Sequence, residues 1–491
     1  MSPIRRKYFF LLKQLTSCLS ALLLFSCLGF AKSVEATPNI LMIVIDDLGW
    51  KDLSFMGSEY FETPYIDDLA KSGVHFTQAY AGAANCAPSR ACLISGRNTP
   101  VHHIYTVNPS DRGHEKTRKI IPTPNNDILP LELPNLPQFL KSQGYETAHF
   151  GKWHLSEDPM DYGFDFNIAG CHTGSPGSYF RPFTKVKNMP DGPEGEHLTE
   201  RITAEVIQYL ERPKEKPFFL YLPYYTVHTP LQPRPEIHEI WKNKPGAKHK
   251  KQIKYGAMVS YMDQQIGLII EQLEQQGLRE NTLIIFTSDN GGIAAISSQT
   301  PLRAGKGSYY EGGIRVPLII SWENHIEANS ASDEIVSNLD FFPTLIDLIT
   351  ENPKLPELDG VSLLDHLKNR TPLIKRDLIW YFPIYLQAYD PKLDEARDPL
   401  FRTRPGAVIR SGDWKLHHYF EDHAFELYNL KTDIGENYNL ASEHPEILNG
   451  LSQKLDAWYR KNQVPSTFTP NPKYDSEFEA KKIKEALSKT L

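Results

Sequence analysis

Cysteine is scarce in this chain: Cys18, Cys27, Cys86, Cys92 and Cys171 are the five in 491 residues. No two form a C-x-x-C, which excludes zinc ribbons and thioredoxin-like redox sites, and five thiols are too few for a disulfide framework. A basic excess is missing as well. The 53 Lys and Arg face 60 Asp and Glu, a formal charge of −7, so no nucleic-acid partner is expected. Internal repeats and low-complexity blocks are absent, and no unbroken apolar run is long enough to span a bilayer comfortably. What is present, 40% hydrophobic and 23% charged residues, describes a soluble globular protein with a sizeable core.

Residues 1–31 have the layout of an export signal. Arg5, Arg6 and Lys7 form a basic start, Leu19 to Phe25 is a short apolar stretch, and Gly29-Phe30-Ala31 offers the small residues a signal peptidase reads. Leu24-Phe25-Ser26-Cys27 also resembles a bacterial lipobox, in which case Cys27 carries a lipid and ties the chain to a membrane. A retained anchor is the third reading. All three export the protein, to the periplasm or beyond. The segment holds four basic residues and no acid, so its loss takes the formal charge from −7 to −11.

From Asn39 onward short apolar runs alternate with helical patterns, as in a mostly parallel sheet covered on both faces. Asn39 to Ile45, Pro217 to Pro223 and Thr282 to Thr287 read as buried strands, with Val74 to Ala79, Tyr145 to Phe150 and Val316 to Trp322 beside them. Thr63-Pro64 reads as the cap and first residue of a helix closing at Gly73. Further helices are expected from Pro137 to Gln143, Gln252 to Gln275 and Asp340 to Leu348. After about Arg370, short strands separated by turn residues suggest an antiparallel sheet, with a helix from Pro445 to Arg460 over one face. The expected organisation is a large α/β unit over 38–370, a small α+β unit over 371–465 and an extended tail over 466–491.

Two acidic pairs occupy equivalent places. Asp46-Asp47 ends the first strand, and Asp289-Asn290-Gly291-Gly292 follows the strand at Thr282 to Thr287. If those strands are neighbours, four hard oxygen donors converge at their carboxyl ends, a ligand set for calcium or magnesium. Either pair alone reads as a turn start; together they read as a site. Cys86-Ala87-Pro88-Ser89-Arg90-Ala91-Cys92-Leu93-Ile94-Ser95-Gly96-Arg97 places Pro88 well for the first residue of a helix, with Cys86 beside its N-terminus.

That segment matches the sulfatase signature C-x-P-S-R-x-x-x-[LI]-[ST]-G-R at every specified position. Gly151-Lys152-Trp153-His154-Leu155, His228-x-Pro230, Ser288 to Gly292 and Leu302-Arg303-x-Gly305-Lys306-Gly307 extend the resemblance, as do Ala407 to Arg410, Asp413 to Leu416 and Glu426 to Leu430. The chain resembles a type I, cysteine-type sulfatase of the alkaline-phosphatase-like superfamily over nearly all of its mature length. Ser156 stands where glycine is common and Ser95 where threonine is usual. A polar sulfate ligand downstream of His154 is not identifiable.

The resemblance implies a large mixed, mostly parallel sheet sandwiched by helices and a smaller antiparallel C-terminal unit. It implies that a separate maturation enzyme converts Cys86 to formylglycine, whose hydrate attacks sulfur with one hydroxyl and expels sulfate with the other. Asp46, Asp47, Asp289, Asn290 and residue 86 would ligate one calcium, or less readily magnesium. Arg90 would hold the hydrate, Lys152 and Lys306 the sulfate. His154 would take the hydrate proton, and His228, alone or with Lys306, would protonate the leaving alcohol. Three carboxylates and a divalent ion sum to −1; Arg90, Lys152 and Lys306 raise the site to +2, which suits an anionic ester.

The expected activity is removal of sulfate from a sulfated carbohydrate. A phosphonate monoester or phosphodiester hydrolase is the alternative within the same superfamily, and an inactive glycan-binding homologue the alternative outside enzymes. His102 and His103 follow the signature closely enough to be considered for substrate contact, while His172, His417 and His418 are assigned to structure or surface. Tyr105, Trp380, Tyr381 and Tyr385 are assigned to the core rather than to sugar stacking. Cys92 and Cys171 are packing residues, with a bridge between them left open.

Overall fold

The computed structural model describes residues 37–350 and 357–488. The signal-like segment, with Cys18 and Cys27, lies outside the described residues. Eight strands form the main sheet: β1 (Asn39–Ile45), β2 (Val74–Tyr80), β3 (Glu146–Phe150), β4 (Phe166–Ile168), β5 (Phe218–Pro223), β6 (Thr282–Ser288), β7 (Arg315–Ser321) and β8 (Ser330–Ser337). Their order is β4-β3-β5-β1-β6-β7-β2-β8. Only β7 runs against its neighbours.

The unbroken apolar run of β1 follows from its central place. Leu41, Ile43 and Ile45 enter one core, shared with Leu198, Ile202 and Val206 of the helix Leu198–Glu211 and with Met258, Met262 and Ile266 of the helix Lys250–Gln275. Ile40, Met42 and Val44 enter the other, with Ala91, Leu93 and Ile94 of the helix Cys86–Ser95 and Phe342 and Leu345 of the helix Phe341–Ile349. Alternate residues thus face opposite cores, and each fully buried Ile or Leu adds roughly 1.5–3 kcal/mol.

A second sheet, antiparallel throughout, has the order β14-β13-β12-β9, from β9 (Asp377–Phe382), β12 (Gly406–Ser411), β13 (Trp414–Tyr419) and β14 (Phe425–Asn429). The short pair β10 (Leu386–Gln387) and β11 (Phe401–Thr403) lies between β9 and β12 in sequence. Leu451, Leu455 and Tyr459 of the helix Pro445–Asn462 join this sheet's core, which also takes in Tyr80 at the end of β2 and Ala84 just after it. Residues from Pro38 onward belong to one compact unit. A buried ionic knot ties the two sheets: Lys415 Nζ lies 2.9 Å from Glu311 and 3.0 Å from Glu436, and Glu311 also accepts from Tyr80 and pairs with Arg315. Tyr105, Trp380, Tyr381 and Tyr385 are all buried in the core as expected.

Three sequence expectations need correction. The segment after 465 is not wholly extended: Ser476–Ser488 is a helix. Asp475 caps it by accepting from Phe478 N at 3.0 Å, the Ala, Glu and Lys content favours helix, and Glu479 is buried against Arg404 at 2.7 Å. The helix expected to start at Pro88 starts at Cys86, with Pro88 still in the first turn, where a missing N–H costs nothing. Finally, Thr63 and Pro64 take the expected cap and first positions of the helix Pro64–Lys71, and what needs correction is the bonding alone, since the Thr63 side chain does not accept from the first free N–H groups. Asp263, in the helix Lys250–Gln275, accepts from Tyr65 N and Ile66 N at 3.3 and 2.8 Å and does so instead. Among the described residues no helix is long and apolar enough to cross a membrane.

The cross-chain cap is directly testable. Asp263→Ala is expected to lower the unfolding free energy in a urea titration by about 1 kcal/mol. Asp68→Ala, which breaks only an exposed pair with Lys71, should change it by less than about 0.5 kcal/mol.

Candidate active site

β3, β5, β1 and β6 are consecutive neighbours running in one direction, so the loops after them meet at one edge of the sheet. Those loops carry Lys152, His228, Asp46-Asp47 and Asp289-Asn290 respectively. The register sets Ile45 opposite Ser288, which brings the two acidic pairs side by side. The helix Cys86–Ser95 adds Cys86 and Arg90, and Lys306 comes from the loop between β6 and β7. All six candidate catalytic residues and all five candidate ligands therefore belong to one edge of the sheet. Ligands collect there in open parallel sheets.

Close backbone packing fixes the two lysines. A Cβ on Gly151, whose φ is +130°, would lie 2.0 Å from Pro223 O, and one on Gly305 would lie 2.4 Å from Gly292 O. Only glycine lets these turns approach the neighbouring strand ends. The adjacent amides hold the contact: Lys152 N donates to Pro223 O at 2.6 Å and Lys306 N to Gly292 O at 2.8 Å.

Each carboxylate has its own cation. Arg90 Nε donates to Asp289 Oδ2 at 2.9 Å, Lys152 Nζ lies 2.7 Å from Asp46 Oδ2, and Lys306 Nζ lies 2.7 Å from both oxygens of Asp47. Arg90 also donates to Lys152 O at 2.9 Å, and Asn290 Nδ2 donates to Asp47 Oδ1 at the same distance. All of these side chains are buried. Burial, reinforced by Asp289 and Asp47, outweighs Lys152 and raises Asp46 to about 7. For Asp47 burial also pushes upward, but Lys306 and His228 prevail and hold it below the usual carboxylate range.

The two histidines stand differently. Burial first, then Lys152 and Arg90, lowers His154 well below its ordinary value, so it is a neutral base; its Nδ1 is buried with no hydrogen-bond partner among the described residues. Burial and Lys306 bring His228 to about 3. Its Nδ1 lies 2.6 Å from Thr229 O, an arrangement that puts the proton on Nδ1 and a lone pair on Nε2, 3.7 Å from Asp47 Oδ2.

Cys86, buried at the helix start, has its sulfur gathered with oxygens of Asp46 and Asp289 within 4.8 Å of one another. Two buried oxygens at this spot, Asp46 Oδ1 and Asn290 Oδ1, have no hydrogen-bond partner among the described residues. Orphaned buried acceptors of this kind are costly unless a cation takes them up. The donors are hard oxygens, so the residues fit a hard divalent cation.

Comparison with known proteins agrees with this geometry. The family model described as sulfatase matches residues 38–351, and a second, described as N-sulphoglucosamine sulphohydrolase, C-terminal, matches residues 305–461. A protein named sulfatase from Formosa agariphila is 32% identical over 91% of this chain and 94% of its own length. The chain belongs to the sulfatase family. N-acetylgalactosamine-6-sulfatase of Mus musculus is 28% identical over 97% of this sulfatase and 89% of its own chain. The solved structure of Ps i-CgsB in complex with k-i-k-neocarrahexaose superposes with a TM-score of 0.72 at 29% identity, covering 92% of this chain and all of that one.

Other side chains of the site were not foreseen. Arg402 of β11 donates from Nη1 to Lys306 O at 3.0 Å, so the short strand pair steadies a site lysine from outside the main sheet. Tyr255 donates to Asp52 at 2.7 Å and reaches the Asp47 carbonyl at 3.3 Å, bracing the acidic turn. Partners this distant leave no local pattern. Among the residues considered for substrate contact, His102 faces inward, with Nε2 3.5 Å from Cys92 Sγ. His103 lies against Tyr105. Cys92 and Cys171 are free, so no bridge joins them.

The orphaned oxygens make a prediction independent of activity. Calcium at a hundredfold excess over its Kd is expected to stabilise the protein by about 2.7 kcal/mol, read as a rise in Tm that a chelator reverses. Asp46→Ala is expected to abolish that rise.

Proposed function

We propose that this sulfatase is exported and removes sulfate from a sulfated carbohydrate, with residue 86 as formylglycine and one divalent ion, calcium in preference to magnesium. The ion is assigned to Asp46, Asp47, Asp289, Asn290 and residue 86. The observation that carries the reading is the one-to-one pairing of three buried carboxylates with Arg90, Lys152 and Lys306 beside Cys86. The names of two relatives support the substrate class, one an N-acetylgalactosamine-6-sulfatase and the other solved with a neocarrahexaose. Export rests on the layout of residues 1–31. Cys86 is only 3% exposed, so the maturation enzyme is expected to act before folding encloses it.

The ion, when bound, supplies Lewis-acid polarisation of the sulfate, and formylglycine supplies the nucleophilic hydroxyl. The chain's own residues set the charge. Three carboxylates and three cations sum to zero, and a divalent ion brings the site to +2. Lys152 and Lys306 then turn from Asp46 and Asp47 toward the sulfate oxygens, where negative charge grows in the transition state. Arg90, held between Asp289 and the Lys152 carbonyl, keeps residue 86 in place. Neutral His154 accepts the nucleophile's proton. His228, neutral with its Nε2 lone pair free, takes a proton from solvent on Nε2 and gives it to the leaving oxygen.

Two experiments test the reading. Side-by-side kinetics on sulfated saccharides and on a phosphodiester are expected to favour the sulfate esters; a dominant phosphodiesterase rate would overturn the assignment. A mass measurement on the Cys86 peptide from the exported protein is expected to show the aldehyde, and full activity with an intact thiol would sink the mechanism. His228→Ala is expected to cost about 10²–10⁴ in kcat on a sulfated sugar. The loss should be far smaller on 4-nitrophenyl sulfate, whose leaving group needs no proton. Equal losses on both would remove the acid role from His228.

A further inference from the structure

The segment 110–113 runs beside the strand pair at the rim of the site. Tyr385 N donates to Ser110 O at 2.8 Å, and a Cβ on Gly113 would meet the Phe401 ring at 2.5 Å. This packing sets two arginines near each other. Arg402 lies over the Tyr389 ring at 3.3 Å, donates from Nε to Gln387 O and from Nη1 to Lys306 O, and leaves Nη2 without a bond among the described residues. Arg112 spends one nitrogen on the carbonyls of Val107 and Asn108.

Neither forms an ion pair among the described residues, although Arg404 and Arg397 close by each have acidic partners. The acid near Arg402, Asp394, is engaged by the N–H groups of Tyr389 and Asp390. Burial foremost lowers Arg112; Tyr389 opposes this, Arg402 adds to the lowering, and Cys86 opposes it. Two guanidinium groups set close together repel each other, and with Asp394 near Arg402 spent on backbone N–H groups rather than paired, an anion between them lowers the cost. Their planar forks match the oxygens of a sulfate or a carboxylate. Tyr389, 51% exposed, adds an aromatic surface on which a sugar ring can lie.

We propose that Arg112 and Arg402, with the Tyr389 ring beneath Arg402, form a subsite for a second anionic group of the substrate, a further sulfate or a carboxylate on the saccharide that carries the cleaved ester. The assignment rests on the saccharide reading above. It makes the enzyme selective for multiply charged saccharides over singly sulfated neutral ones.

The test compares kcat/KM of the wild type, Arg112→Gln and Arg112→Lys on matched substrates. One pair is 4-nitrophenyl sulfate with and without a ring carboxylate. The saccharide set is a neutral monosulfated disaccharide, its disulfated form and a monosulfated form containing a uronate. The wild type is expected to prefer the doubly charged member at least tenfold, Arg112→Gln to reduce that ratio at least tenfold, and Arg112→Lys to keep part of it. The saccharide that loses most in Arg112→Gln tells a sulfate subsite from a carboxylate one. No preference in the wild type, or equal losses on both members of a pair, would overturn the subsite. A ratio lost on the aryl pair with no saccharide turned over would uphold the subsite and reject the carbohydrate reading instead.

Discussion

Three carboxylates cannot share one buried place without compensating charge, and the rest of the site follows from that constraint. Asp46, Asp47 and Asp289 are brought together by the pairing of two central strands, which is itself a requirement of core packing. Coulomb repulsion at such distances in a poorly solvated setting would push protons onto them. Three cations from three other parts of the chain answer it, one to each carboxylate. Each cation is held by a carboxylate and not by solvent, so a divalent ion taken up by those carboxylates would free all three cations. The same neutral cluster then becomes a cationic pocket in a protein whose overall charge is negative.

What the sequence disclosed and what it hid divide along the range of the interactions. The strands β1, β5 and β6 are legible because burial on both faces writes an unbroken apolar run, and the acidic pairs are legible because they end those runs. The signature around Cys86 and the glycines beside Lys152 and Lys306 are local as well. β8 was not read, since an edge strand with Ser330, Asp333 and Glu334 has one wet face and no such run. The helix Leu198–Glu211 was missed although Leu198, Ile202, Val206 and Leu210 recur every four residues. Asp263 as a cap, 198 positions from Tyr65, and Arg402 as a support, 96 positions from Lys306, have no local signal at all.

The small sheet is more than a cover. Glu311, Lys415 and Glu436 are fully buried ions joined in one cluster, an arrangement whose desolvation cost leaves little net stabilisation and whose geometry tolerates one relative placement of the sheets. That placement carries β11 to Lys306. The side chain of Lys306 answers to Asp47 while its carbonyl answers to Arg402, so the main sheet and the short β10–β11 pair hold the same residue from two sides.

The spacing of those partners has a consequence for how the chain is made. Arg90 waits 199 residues for Asp289, and Asp47 waits 259 for Lys306. During vectorial synthesis the first strand therefore emerges with charges that nothing nearby can neutralise, and it cannot be buried as it stands in the finished fold. Lys306 in turn is not braced until the strand carrying Arg402 has followed. The charge pattern that makes the pocket also sets a timetable: the pair that Asp47 makes with Lys306 can form only once more than half of the chain exists.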